Sequence, residues 1–294
     1  MKPRIRDAAI GLMSRDHIGD VRRLDSILGK KESATLSSFV PPNPYVGDPS
    51  NLVPGECVAL IGINPRLDRT RPGFQHFEID VPNRCQIEFE QTNNSRAFDP
   101  WFEKLHRYYD EEYCIFEGGE NIDPYYWPYF TKLGNHIGRA WFDSPPPEKG
   151  PVQPNARKVL GNHVLKIDAV PYYSISDEFD AGEVRKSMGN DAAMKAHKKL
   201  LETLFEECRP RHLQVNGKNT AGTMIKDIFG KRELFEMRGE EKTPTEIEVG
   251  FVNIGKHRLP IMIHKFTGNA GGPQSPESFL ECAKNFDDWL KDQL

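Results

Sequence analysis

The sequence has no long apolar run, and this absence limits the classes of protein to which it can belong. No stretch approaches the roughly 20 apolar residues that a membrane-spanning helix needs. The N-terminus, Met1–Asp7, is charged but has no apolar segment behind it, which is unlike a secretory signal. With 37% hydrophobic and 28% charged residues, the composition predicts a globular, cytoplasmic protein without a membrane partner.

Clustered cysteines and a net positive charge are also absent. The five cysteines are scattered without metal-ligand spacing, so we expect free thiols, no disulfide framework and no iron–sulfur cluster. The nine histidines show no such spacing either, and we predict no metal and no cofactor. The net charge of −4 argues against a protein that coats nucleic acid by bulk electrostatics. It leaves open an enzyme that contacts a few phosphates.

What the sequence does contain is an alternation of strand-like and helix-like segments. Strands are predicted at 57–61, 113–116, 163–168, 212–216, 246–253 and 258–264. Helices are predicted at 98–109, 128–141, 181–208, 218–229 and 276–292. This alternation predicts an α/β fold with three α/β/α layers and a mostly parallel central sheet.

Two features of the chain's organisation follow from composition and spacing. Residues 1–50 are predicted to be an N-terminal helical extension and linker, and residues 51–294 the main domain. The strands at 246–253 and 258–264 are close enough in sequence to form a hairpin, which would add an antiparallel strand. Pro260 lies near the start of the second of these strands, where a proline is tolerated.

The most informative stretch is the end of the first strand, Gly62-Ile63-Asn64-Pro65. Pro65 cannot donate to a sheet ladder, and it favours an extended backbone at Asn64. The Asn64 amide is therefore expected at the carboxyl end of a strand, where open α/β sheets bind ligands. A second strand ends in a similar way, with His264 followed by a glycine-rich loop.

Four strand ends, taken in chain order, resemble the uracil-DNA glycosylase superfamily, and are closest to its mismatch-specific and thymine-DNA glycosylase branch. They are Gly62-Ile63-Asn64-Pro65, Ile167-Asp168-Ala169-Val170-Pro171, Asn216-Gly217-Lys218-Asn219-Thr220-Ala221, and His264 with its loop. The resemblance spans roughly residues 51–294. The chain departs from the family at two places: Lys265 follows His264 where relatives have proline, and Asp168 stands where they usually have asparagine.

The resemblance implies a uracil-DNA glycosylase-like fold and a monofunctional DNA glycosylase, monomeric, with DNA as its partner. Such an enzyme flips a modified or mispaired pyrimidine out of the duplex and hydrolyses its N-glycosidic bond, leaving an abasic site. Asn64 would position the attacking water, and His264 would stabilise the leaving base by a hydrogen bond. The remaining candidates are Phe74 or Phe77 for base stacking, Asp168 for base recognition, and Lys218, Lys265, Gly268, Asn269 and Gly271 for DNA contacts.

Asp168 bears on which base is recognised. An ionised aspartate offers only acceptors, so it suits an exocyclic amino group such as cytosine N4 and disfavours the O4 of uracil. This favours a cytosine-type substrate, including a bulky modified cytosine. A protonated Asp168, its pKa raised by burial, would instead donate to O4.

Structural roles compete with each of these assignments. Asn64 could cap a turn, Asp168 could cap a helix or form a salt bridge, and His264 could be a buried structural residue. Two other functions also remain open: a DNA- or base-binding module without hydrolysis, and a hydrolase of free nucleosides or nucleotides. Repair and attack on foreign DNA use the same chemistry, so the sequence does not separate them.

Overall fold

The computed structural model describes most of the chain. The described residues are 1–28, 36–63, 65, 79–109, 126–145, 154–174, 179–218, 221–224, 233–238, 245–265, 273 and 275–293. The predicted strand at 113–116 lies outside them.

The described residues form one six-stranded sheet with the order β2-β1-β3-β6-β5-β4. Strands β2, β1, β3 and β6 are parallel to one another, and β5 pairs antiparallel with both β6 and β4. The mostly parallel sheet and the hairpin are therefore confirmed. The strands are β1 Val58–Gly62, β2 Val164–Asp168, β3 His212–Asn216, β4 Glu233–Arg238, β5 Glu246–Ile254 and β6 His257–His264.

Ten α-helices flank this sheet in the described part of the chain. They are α1 Pro3–Met13, α2 His17–Leu28, α3 Val81–Thr92, α4 Asp99–His106, α5 Tyr126–Trp141, α6 Pro154–His163, α7 Ala181–Asn190, α8 Ala192–Cys208, α9 Ala221–Met224 and α10 Pro276–Gln293. Since both faces of the sheet are covered, even polar residues of the short parallel strands are buried or half-buried. Strand β1, for example, is buried at every position except Gly62.

The alternation of side chains along β3 shows that the helices form two layers. The buried His212 ring contacts Trp141 of α5 and Phe286 of α10, with ring centroids 4.4 and 5.0 Å apart. Helices α5 and α10 therefore cover this face, and α6 packs on α5. On the opposite face α9 contacts Ile263 of β6, and α7, α8 and α1 pack beside it in turn. The predicted α/β/α layering is confirmed.

The N-terminal helices pack against the rest of the fold. Helix α1 lies on α8, where Arg4 forms ion pairs with Glu206 and Glu207. The apolar faces of α1 and α2 are buried in the same core as the sheet, through Ile5, Ala9, Leu12, Met13, Val21, Leu24 and Leu28.

Several elements differ from the prediction, each for a local reason. The helix predicted at 181–208 is two helices, because the Asp191 carboxylate accepts from the N–H groups of Ala193 and Met194 and so starts α8. Pro154, which lies outside the predicted helices, begins α6, since a proline at a first helical position needs no N–H. Strand β4, also unpredicted, is a charged edge strand. Helix α3 was missed inside an aromatic-rich segment.

Pro260 is the fourth residue of β6, which begins at His257. It pairs with Phe251 of β5, while pairing with β3 starts one residue later at Ile261. The missing N–H of Pro260 is therefore not needed by β3.

Four cysteines, Cys57, Cys85, Cys208 and Cys282, are buried free thiols, as predicted. Cys114 lies outside the described residues. Within the described part of the chain, no helix combines the length and the apolar character needed to cross a membrane.

Candidate ligand-binding site at the carboxyl edge of the sheet

Four strand-end residues lie level with one another at the carboxyl edge of the parallel strands. Gly62 pairs with Asp168, and Asn216 pairs with His264. Because Ile61 is level with Val215, Gly62 is also level with Asn216. Residues at the same level of a parallel sheet face the same side. Asp168, Gly62, Asn216 and His264 therefore form one row, which we call the strand-end row.

The strand order places this row at a reversal in the winding of the sheet. The chain passes from β1 outwards to β2 on one side, and then to β3 on the other side of β1. The connections after β1 and β3 therefore leave in opposite directions beyond Gly62 and Asn216. Ligands of open α/β sheets bind at such reversals of the strand order.

Asp168 is buried, and one oxygen of its carboxylate is held by a lysine of the same strand. Its side chain is 8% exposed, and Oδ2 accepts a hydrogen bond from Lys166 Nζ at 2.8 Å. Oδ1 lies over Gly62, where a Cβ atom would be only 2.4 Å away. Asp168 thus forms the salt bridge that was one of its predicted structural roles, and glycine at position 62 is what lets the carboxylate lie across β1.

The backbone of Asp168 is held by a buried histidine that the sequence did not assign to the site. His197 of α8 donates from Nε2 to the Asp168 carbonyl oxygen at 2.8 Å. Burial lowers the pKa of His197 to about 4, so the ring is neutral at pH 7. The sequence signal for its burial was that His197 lies on the apolar face of an amphipathic helix.

His264 is 1% exposed, and both of its ring nitrogens have partners inside the protein. Nδ1 lies 2.8 Å from the Lys265 carbonyl oxygen, and Nε2 lies 3.0 Å from Nε2 of Gln214. Burial lowers the pKa of His264 to about 4, so the ring is neutral. A carbonyl only accepts, so Nδ1–H donates to Lys265, and Nε2 accepts from the Gln214 amide. In this arrangement the single N–H of the ring is already in use.

The two lysines predicted to contact DNA lie near acidic side chains of β5. Lys218 Nζ is 3.2 Å from a carboxylate oxygen of Glu248, and Lys265 Nζ is 3.5 Å from one of Glu246. Strand β5 begins beside the carboxyl end of β6, where Ile247 pairs with His264. Much of the positive charge at this end of the row is therefore balanced within the protein.

The other predicted site residues, Asn64, Phe74, Phe77, Gly268, Asn269 and Gly271, lie outside the described residues. The backbone on either side of Asn64 is described. The Ile63 carbonyl accepts from Val170 N at 2.8 Å, and the Pro65 carbonyl accepts from Ser174 N at 3.1 Å. These bonds continue the β1–β2 pairing beyond the strand-end row.

Two polar residues near the row, Lys166 and Gln214, were not predicted. Each lies two positions before a row residue, Asp168 or Asn216, and alternation along a strand puts such pairs on the same face. Polar residues at alternate positions of a buried strand, as in His212-Leu213-Gln214-Val215-Asn216, were the available signal.

No protein-family model matches this chain, and no curated protein matches it significantly. The likeness to the uracil-DNA glycosylase superfamily therefore depends on the four strand-end motifs alone.

Proposed function

We propose that this chain is a DNA glycosylase that hydrolyses the N-glycosidic bond of a modified or mispaired pyrimidine and leaves an abasic site. The observation that carries the proposal is the strand-end row. Asp168, Gly62, Asn216 and His264 come from four separate motifs, yet they lie level on one face at the winding reversal of the sheet. Their order along the chain is the order of the motifs in the superfamily that the chain resembles.

The surroundings of Asp168 support a cytosine-type base as the substrate. Lys166 Nζ donates to Oδ2 at 2.8 Å, so this oxygen acts as an acceptor within the protein. Oδ1 lies over Gly62, and no donor among the described residues contacts it. An acceptor in this position suits the exocyclic N4 amino group of cytosine or of a modified cytosine.

In the proposed reaction, the oxygen of a water molecule forms a bond to C1′ of the sugar as the C–N bond to the base breaks. The bonding electron pair leaves with the base, the attacking water releases its proton to solvent, and the departing base takes up a proton from solvent. Asn64 orients this water. His264 donates to the departing base, and for this role its single N–H must exchange the Lys265 carbonyl for an acceptor on the base.

The test is base release from a panel of oligonucleotides. Purified protein is incubated with DNA that contains uracil, mispaired thymine, hydroxymethylated cytosine or glucosylated cytosine, and abasic sites are then cleaved with alkali. We expect strand breaks in DNA with modified cytosine, and their loss in Asn64→Ala. The control is Asn253→Ala, an exposed residue of β5 near the opposite edge of the sheet. Strand breaks only at uracil would support glycosylase activity but overturn the assignment of a cytosine-type substrate.

A second candidate function is a base-binding module without hydrolysis, and the geometry of His264 favours it. Its ring is buried and both nitrogens have protein partners, as expected of a structural residue. This function predicts binding to the same DNA, measured by fluorescence anisotropy, with no abasic product. Activity on free nucleosides alone would support a hydrolase of free nucleosides or nucleotides. The pairing of Lys218 and Lys265 with glutamates of β5 also suits that function, because a small substrate needs fewer phosphate contacts than DNA.

A further inference from the structure

The segment that follows Asp168 contacts the backbone around Asn64. Residues 169–174, which we call the brace segment, donate three N–H groups to the end of β1 and the residues after it. Ala169 N donates to the Gly62 carbonyl, Val170 N to Ile63 and Ser174 N to Pro65, at 3.0, 2.8 and 3.1 Å. The position of the backbone on both sides of Asn64 is thus set by the brace segment.

The brace segment is held on its other side by the N-terminal part of the chain. The Pro171 carbonyl accepts from Asn43 N, and the Tyr173 carbonyl accepts from Ser37 N, both at 2.8 Å. Leu36 and Ser174 form an antiparallel bridge. The brace segment therefore lies between the N-terminal linker and the residues that flank Asn64.

A buried polar network joins the brace segment to α2. The Tyr172 side chain is fully buried, and its hydroxyl donates to Asp20 Oδ2 at 3.2 Å. Asp20 also accepts two hydrogen bonds from Arg15, at 2.7 and 3.0 Å, and one from Arg23 at 2.8 Å. Burial of Asp20 acts to raise its pKa, but the hydrogen bonds from Arg15 and Arg23 outweigh that effect, and its pKa is lowered.

The same network reaches α8. Arg23 Nε donates to Asp191 Oδ2 at 2.7 Å, and Asp191 is the residue that caps the start of α8. Helix α8 in turn holds the Asp168 carbonyl through His197. Asp20 is thus connected both to the brace segment and, through α8, to the strand-end row.

We propose that residues 1–28 and 36–46 position the candidate site, and that Asp20 and Tyr172 are the positioning residues that couple α2 to the backbone of Ile63 and Pro65. The expected effect on base release rests on the proposed function. The structural coupling between α2 and the brace segment does not depend on that function. A network that served stability alone would change the unfolding of the whole chain without acting on the brace segment in particular.

Amide hydrogen exchange measured by NMR tests the coupling without any substrate. Tyr172→Phe removes one buried hydroxyl and leaves both arginines on Asp20, and Asp20→Asn is the second variant. The control is Arg4→Gln, which removes exposed ion pairs between α1 and α8. We expect Val170 and Ser174 to exchange about tenfold faster in Tyr172→Phe, the order expected for losing a hydrogen bond to a charged group. Leu213, in the centre of the sheet, should be unchanged.

Two results would overturn the coupling: Val170 and Ser174 exchanging at the wild-type rate, or all amides, Leu213 included, accelerating equally. The catalytic part is tested by single-turnover base release, where Tyr172→Phe should lower the rate about tenfold with unchanged DNA affinity. An unchanged rate would overturn the positioning role. If the wild-type protein releases no base, the proposed function fails, and the exchange result still decides the coupling.

Discussion

The carboxylate of Asp168 and the backbone of Gly62 occupy adjoining space at the carboxyl edge of the sheet, and a side chain at position 62 would take the place of the carboxylate. A Cβ atom there would lie 2.4 Å from Asp168 Oδ1. The two residues come from different motifs, more than 100 positions apart in the sequence. Their contact shows that the first and second strand-end motifs lie side by side at this edge of the sheet.

The first prediction concerns this contact. Gly62→Ala should push the Asp168 carboxylate away from β1 and weaken its pairing with Lys166, at a cost of about 1–3 kcal/mol in the free energy of unfolding. The matched control is Gly11→Ala in α1, because no atom lies within 4 Å of the place that a methyl group on Gly11 would occupy. That change should stabilise the protein by about 0.5–1 kcal/mol. Urea unfolding measures both, and equal effects would contradict the described packing.

The second prediction concerns the base that is recognised. Asp168→Asn replaces an acceptor-only group with one that also donates, so preference should shift from modified cytosine towards uracil by about 1–3 kcal/mol, or tenfold or more in relative rate. Because this change removes the carboxylate partner of Lys166, the comparison is repeated with Lys166→Gln and Asp168→Asn combined. Competition between the two DNAs in one reaction measures the preference. The hypothesis fails if both variants keep the wild-type preference.

The third prediction concerns pH. Burial lowers the pKa of His136, His197 and His264 to about 4, below the value of about 6.5 in an unfolded chain. Between these values the unfolded state binds protons that the folded state does not. Stability should therefore be full above pH 6.5 and fall as the pH drops towards 4, by about 1–2 kcal/mol per histidine between pH 7 and pH 5.

His136 offers the cleanest test of this pH dependence, since its ring nitrogens have no hydrogen-bond partner among the described residues. His136→Leu should reduce the loss of stability between pH 7 and pH 5, measured by urea unfolding at each pH. His257→Gln, at the half-buried start of β6, is the control. A pH dependence of His136→Leu identical to that of the wild type would show that His136 is not held neutral by burial.

The fourth prediction compares two helix caps. Asp180 and Asp191 each accept backbone N–H groups at the starts of α7 and α8, so removing either should cost about 1 kcal/mol. Asp191 is also paired with Arg23, so Asp191→Ala should cost more than Asp180→Ala. Chemical denaturation of the two variants gives the comparison. Equal costs would mean that the Arg23 pair adds no stability.

Local sequence signals were enough to predict much of the fold. Apolar runs that stop at Gly62 or His264 set the ends of β1 and β6, and the short spacing between β5 and β6 predicted their hairpin. The break between α7 and α8 was also present as Gly189-Asn190-Asp191, a stop signal followed by a cap. The helical spacing of apolar residues on both sides of this break nevertheless favoured the prediction of one continuous helix at 181–208.

The contacts that define the candidate site were less predictable, because they depend on the register of strands far apart in the sequence. The Gln214 side chain reaches His264 only because β3 and β6 are neighbours with Asn216 opposite His264. Likewise, nothing local to Asp20 indicates that Tyr172 approaches it. Such pairings follow from the strand order and the packing of α2, which a single sequence does not determine.

The central claim is that this chain breaks an N-glycosidic bond in DNA, and the most direct measurement is mass spectrometry of the bases it releases. Duplexes with glucosylated cytosine or uracil are incubated with wild-type protein, Asn64→Ala or Asn253→Ala, and the free bases are quantified. We predict free modified cytosine with the wild type and Asn253→Ala, and none with Asn64→Ala. No free base from any duplex, or equal release by Asn64→Ala, would contradict the claim.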